Sequence, residues 1–127
     1  FPYTTLFRSN LTKALIGNID FTTVKNIRNS NFLYLHDRLS VSNKFDIGDI
    51  NSFSCPMVYP YWSDDHTLRD RLIKNKIYVP TYWPNVMQWC TEDQLEYYLA
   101  KDIIPLPIDQ RYNNKDLENI ISIIRLR

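Results

Sequence analysis

The chain has 127 residues, of which 44% are hydrophobic, 14% aromatic and 23% charged, the make-up of one globular domain and too little for a two-domain enzyme. The 15 basic and 14 acidic residues leave a net charge of +1 without a long run of either sign, which disfavours nucleic acid and anionic membranes as partners. Only Gly17 and Gly48 are present, so no glycine-rich phosphate loop can be assembled, and Cys55 and Cys90 lack metal-ligand spacing and read as two reduced thiols of a cytoplasmic protein.

In chain order, Phe1-Pro-Tyr-Thr-Thr-Leu-Phe-Arg-Ser9 reads as the in-frame translation of a sequencing adapter. Residues 1–9 are therefore expected to be a non-native scar on a chain truncated at its N-terminus, and the domain is taken as 10–127. Over 21–39, Val24, Ile27, Phe32, Leu35 and Leu39 recur at roughly helical spacing and predict a long amphipathic helix. That stripe leaves Arg28, Asn31 and Arg38 unexplained, and His36 is expected on the helix surface. A polar loop follows over 40–54. Residues 56–62 predict a strand that ends at Pro60 or lies at an edge, because proline has no N–H for a ladder.

Asp64 or Asp65 then caps a helix whose Leu68, Leu72 and Ile73 face inward, with His66 in its first turn and Lys74 and Lys76 near its C-terminus. Neither histidine has a ligand-spaced partner for a metal. Residues 77–79 predict a second strand, and Pro80 and Pro84 bracket a stiff loop. Thr91 to Gln94 reads as a capping box before a helix that buries Leu95, Tyr98 and Leu99. Residues 103–106 predict a third strand. Asn113 or Asn114 caps a last helix in which Leu117, Ile120, Ile121 and Ile124 hold the i, i+3, i+4, i+7 pattern. The order predicts an α+β fold: a small helix-on-sheet domain with a long N-terminal helix and a short sheet of about three strands. No apolar stretch approaches the roughly 20 residues that span a bilayer.

Three segments carry more than periodicity: Leu106-Pro-Ile-Asp-Gln-Arg-Tyr112, Val79-Pro-Thr-Tyr-Trp-Pro84, and the helix from Ile27 to Leu39 with its Arg, Asn-aromatic and Tyr-Leu steps. In residues and order they resemble the small C-terminal domain of DegT/DnrJ-type sugar aminotransferases, fold-type I enzymes that use pyridoxal phosphate. The resemblance implies a parent protein that transfers an amino group to a nucleotide-linked keto sugar. It also implies a large domain absent from this chain and a homodimer with shared active sites. The family keeps its Schiff-base lysine on the large domain. None of Lys13, Lys25, Lys44, Lys74, Lys76, Lys101 and Lys115 is assigned that role, because each falls in a polar or helix-surface setting, whereas a Schiff-base lysine needs a buried pocket. This chain is therefore expected to be inactive alone and to bind no cofactor alone.

Many members of that family carry a His in the loop after the second strand, where this chain offers Tyr82, Trp83 and Asn85. Tyr82 and Trp83 are the first candidates for substrate contact, since an indole between two prolines can stack on a ring with little entropy to lose. Arg111 can take a phosphate or carboxylate with fork geometry. Each has a plainer role open to it: Trp83 plugging an interface, Arg111 pairing with Asp109, Asn85 serving as a turn residue. A different class of function is a stand-alone binding module, in which Tyr59, Tyr61, Trp62, Tyr82, Trp83 and Trp89 form an exposed aromatic surface.

Overall fold

A computed structural model describes residues 9–52 and 54–126. All of the adapter-like run except Ser9 lies outside the described residues. Ser9 is the N-cap of a short helix, α1 (Asn10–Gly17), that the periodicity did not reveal, and its hydroxyl accepts the Thr12 N–H at 3.0 Å. No residue of α1 is buried. The long helix α2 (Phe21–Leu39) follows, begun by Asp20, whose carboxylate accepts the Thr23 N–H at 3.0 Å.

Two strands pair antiparallel, β1 (Val58–Trp62) with β2 (Ile103–Pro107), and Pro60 stands opposite Pro105. Neither proline has an N–H to exchange, so the bonded pairs of this ladder are Tyr59 with Leu106 and Tyr61 with Ile104. Those four side chains share one face, and all four are buried. Against that face pack α2, through Phe32, Leu35 and Leu39, and the last helix, α6 (Asn114–Arg125), through Leu117, Ile120, Ile121 and Ile123. The Phe32 ring lies 5.1 Å from that of Tyr59. A complete capping box starts α6: Asn113 accepts the Asp116 N–H, and Asp116 accepts the Asn113 N–H, both at 3.0 Å.

The fold is α+β as expected, but the first described helix is the short α1, the long helix comes second, and the sheet has two strands, not three. Two local causes remove the strand expected at 77–79. Helix α3 (Leu68–Lys74) ends in a Schellman motif, with Ile77 N–H donating to Leu72 O and Lys76 N–H to Ile73 O, both at 2.9 Å. Lys76 holds the left-handed position at φ 63°, which turns the chain at the point where a strand would begin. The open edge of β2, moreover, has no donors at Pro105 and Pro107, so a third strand would find no ladder there. Arg69 bridges the gap instead, donating to the carbonyls of Val79 at 3.1 Å, Pro80 at 2.8 Å and Ile103 at 3.1 Å. Ile77 and Val79 are still buried, as irregular chain.

Other expectations are corrected more locally. Thr67 is the N-cap of α3 and makes no side-chain cap bond, while Asp65 accepts from the Thr67 N–H and pairs with Arg71. Ile73 is exposed. Beyond Pro84 come a four-residue helix, α4 (Val86–Trp89), and α5 (Leu95–Asp102). Only the Gln94 half of the expected box forms, its side chain accepting the Thr91 N–H at 2.9 Å. Neither helix buries a residue fully; Leu95 and Tyr98 are exposed and Leu99 is half-buried. Among the described residues, no helix is long and apolar enough to cross a membrane.

Candidate functional site

Where β2 ends, the chain turns through Ile108 to Tyr112 into α6, and this turn is fixed from beneath. Asn31, the one buried polar residue among the described residues, donates its side-chain Nδ2 to the carbonyls of Ile108 at 3.0 Å, Asp109 at 3.2 Å and Tyr112 at 3.1 Å. An amide has two hydrogens, so one is shared between acceptors. Buried carbonyls are costly without a donor, which gives Asn31 its place on an otherwise apolar stripe. Arg28 and Arg38 tie α2 to other segments in the same way. Arg28 donates to the Met57 carbonyl at 3.1 Å, and Arg38 lies 3.5 Å from the Tyr34 ring centre and 3.1 Å from Glu118. The polar set that the hydrophobic pattern left over is thus the set that docks the long helix.

On this turn, Arg111 folds back onto Asp109. The Arg111 Nε–H donates to Oδ1 and its Nη2 to Oδ2, both at 2.9 Å, and the backbone N–H of Arg111 donates to Oδ1 at 3.0 Å. The hydrogen-bonded Arg111 side chain holds the Asp109 carboxyl below its usual range, and Asp109 in turn raises Arg111. The pairing open to Arg111 in the sequence is therefore made, yet its side chain remains 79% exposed against 17% for Asp109. The sequence offered Asp109 as a partner for Arg111; what it did not show is that the same carboxylate also takes the Arg111 backbone N–H.

Tyr82, Trp83 and Asn85 lie together on the loop between Pro80 and Pro84 and its exit, and all three are exposed. Trp83 has φ 56°, a left-handed backbone that bulky residues rarely adopt, and its side chain is among the most exposed of the large apolar groups. Asn85 is the N-cap of α4 without a side-chain cap bond; its carbonyl accepts from Gln88 N–H at 2.9 Å and Trp89 N–H at 3.1 Å, the work of a turn residue. Arg111 sits on the other loop, and no hydrogen bond or ion pair joins it to these three. None of these four residues lines the concavities of about 230, 660 and 370 Å³ on the described surface. The largest of those is lined by two ion pairs, Lys44 with Asp64 at 2.6 Å and Arg71 with Asp65, and by Arg125, which donates to the Arg38 carbonyl at 3.5 Å.

Of the six aromatic residues expected to form one exposed surface, Tyr59 and Tyr61 are core and Trp62 is half-buried with Lys44 over its ring, leaving Tyr82, Trp83 and Trp89 outside. His36 is half-buried, stacked on Phe32, with Nδ1 3.4 Å from the Tyr59 hydroxyl. Every lysine named above is exposed. Cys55 and Cys90 are free thiols, and no group of three metal-ligating side chains occurs among the described residues. Comparison with protein-family models, with curated proteins and with solved structures finds no match to this chain.

Proposed function

We propose that this chain is the small C-terminal domain of an aminotransferase-like protein that uses pyridoxal phosphate to aminate a nucleotide-linked keto sugar, and that it supplies one wall of the substrate cleft. One observation carries the reading. Two of the three segments that bear the resemblance, the long helix and Leu106 to Tyr112, are held together, because Asn31 on α2 binds the carbonyls at both ends of the Ile108 to Tyr112 turn. Tyr82 and Trp83 then offer ring surfaces for stacking, Arg111 an oxyanion contact and Asn85 an amide at the loop exit. The partners are a large domain of the same polypeptide and a second subunit, in the cytoplasm.

The residues present do not fit the cofactor by themselves. A Schiff-base lysine works from a desolvated pocket that lowers its pKa, and every lysine here faces water. The chain's own contribution is to bind and orient substrate, with the reacting lysine supplied from elsewhere in the protein.

The test is the source DNA upstream of the Asn10 codon, read from an adapter-free library. An open frame of large-domain size is expected, encoding a protein whose Schiff-base absorbance disappears when one of its upstream lysines is replaced. A start codon directly before Asn10 would overturn the reading and leave a stand-alone module presenting Tyr82, Trp83 and Trp89.

A further inference from the structure

A guanidinium carries five N–H donors and can offer two separate edges to oxygen acceptors. Asp109 occupies one edge of Arg111, taking Nε–H and one hydrogen of Nη2. The other edge, both hydrogens of Nη1 and the second hydrogen of Nη2, meets no acceptor among the described residues and faces water. Asp109 is itself fixed: it is mostly buried, its Oδ1 also holds the Arg111 backbone N–H, and its carbonyl is held by Asn31. The orientation of Arg111 is thus set before any ligand arrives.

From this geometry we infer that Arg111 is an oxyanion receptor whose Nη1–Nη2 edge takes two oxygens of a phosphate or carboxylate group, with Asp109 as its positioning residue. An exposed arginine normally loses rotamer freedom when it binds, and a side chain already locked by a carboxylate loses less. Planar bidentate recognition is the task for which arginine is better suited than lysine. The inference rests on the oxyanion contact given to Arg111 in the proposed function and adds Asp109 as the residue that positions it; because anion capture needs neither the cofactor nor a large domain, it would stand even if a start codon preceded Asn10.

Simple charge balance and positioning predict opposite signs for one substitution. If Asp109 only neutralises Arg111, Asp109→Asn removes a negative charge beside the anion and tightens binding. If Asp109 positions Arg111, the same change weakens binding by about threefold or more. The experiment titrates the purified, cofactor-free chain with sodium phosphate and, separately, sodium acetate at constant ionic strength, following the backbone N–H resonances of residues 111 and 112, which every variant retains, by ¹⁵N NMR. A saturable shift with at least one anion, its loss in Arg111→Lys and its weakening in Asp109→Asn are expected, and the anion that binds more tightly identifies the group. No saturable shift with either anion, an undiminished response in Arg111→Lys, or equal or tighter binding in Asp109→Asn would overturn the inference.

Discussion

The last helix and the pair α4 and α5 are built from similarly apolar sequence and come to opposite ends. Helix α6 buries Leu117, Ile120, Ile121 and Ile123, whereas α4 and α5 bury nothing fully and leave Trp89 and Leu95 in water. The difference lies in what each stripe finds opposite it. The α6 stripe meets α2, α3 and the core around the sheet's inward face, while α4 and α5 chiefly meet each other, with a smaller contact from α5 to β2. An apolar side chain becomes core only where another element covers its face, and a cluster left uncovered is a surface for association.

The sharpest way to break this comparison is to truncate one side chain in each region. Ile120→Ala should cost about 3 kcal/mol of unfolding free energy, because it opens a cavity in a fully packed site. Leu95→Ala should cost less than about 0.5 kcal/mol, since Leu95 is mostly exposed. Urea denaturation of both variants measures the contrast. Equal losses would mean that α5 is part of the cooperative core and that the division drawn between the regions is wrong.

The same division explains what the sequence revealed. Helices α2 and α6 and strands β1 and β2 were legible because their apolar periods are the periods that are buried. The stretch 77–99 was misread at both ends for different reasons: at 77–79 the left-handed Lys76 and the donor-less edge of β2 keep buried apolar residues out of a strand, whereas in α5 apolar residues recur without a face to cover them. Ile77 and Val79 look like a strand, but Ile77 closes the end of α3 and Val79 lies in irregular chain, and Leu95 and Tyr98 look like a core face but are exposed. At the candidate site, the loop placement of Tyr82, Trp83 and Arg111 and the turn position of Asn85 were legible from proline and turn chemistry. What could not be read was Asn31 beneath the Arg111 turn, because that contact joins residues 77 to 81 positions apart. No local pattern encodes such a partner.

Lys76 offers a smaller effect of opposite sign. It holds the left-handed position of the Schellman motif, where a Cβ is disfavoured and glycine is the usual residue. The flanking contacts are in place, with Leu72 and Ile77 both buried, so the motif itself is not in question. Lys76→Gly should therefore stabilise the chain by about 1 kcal/mol, seen as a raised urea midpoint with an unchanged slope. A loss of stability would show that the lysine side chain contributes more than its backbone strain removes.

The smallest expected effect is at acid pH, and it acts on the packed region alone. Asp65 accepts from the Thr67 hydroxyl and pairs with Arg71, which also donates to the Ile123 carbonyl at 3.2 Å and so joins α3 to α6. The Thr67 hydrogen bond, then the one from Arg71, lowers the Asp65 pKa from 3.8 to about 2. A carboxyl whose folded pKa is depressed adds stability above its unfolded value and loses it as pH falls through its folded value. The stability difference between the native chain and Asp65→Asn should then be level above pH 3.8 and shrink as pH falls toward about 2. The step should be small, because both side chains are partly exposed and water screens the pair. Urea midpoints of the two proteins across that range decide it: a difference that holds constant down to pH 2 would mean that the ionised carboxylate does not support the α3–α6 junction.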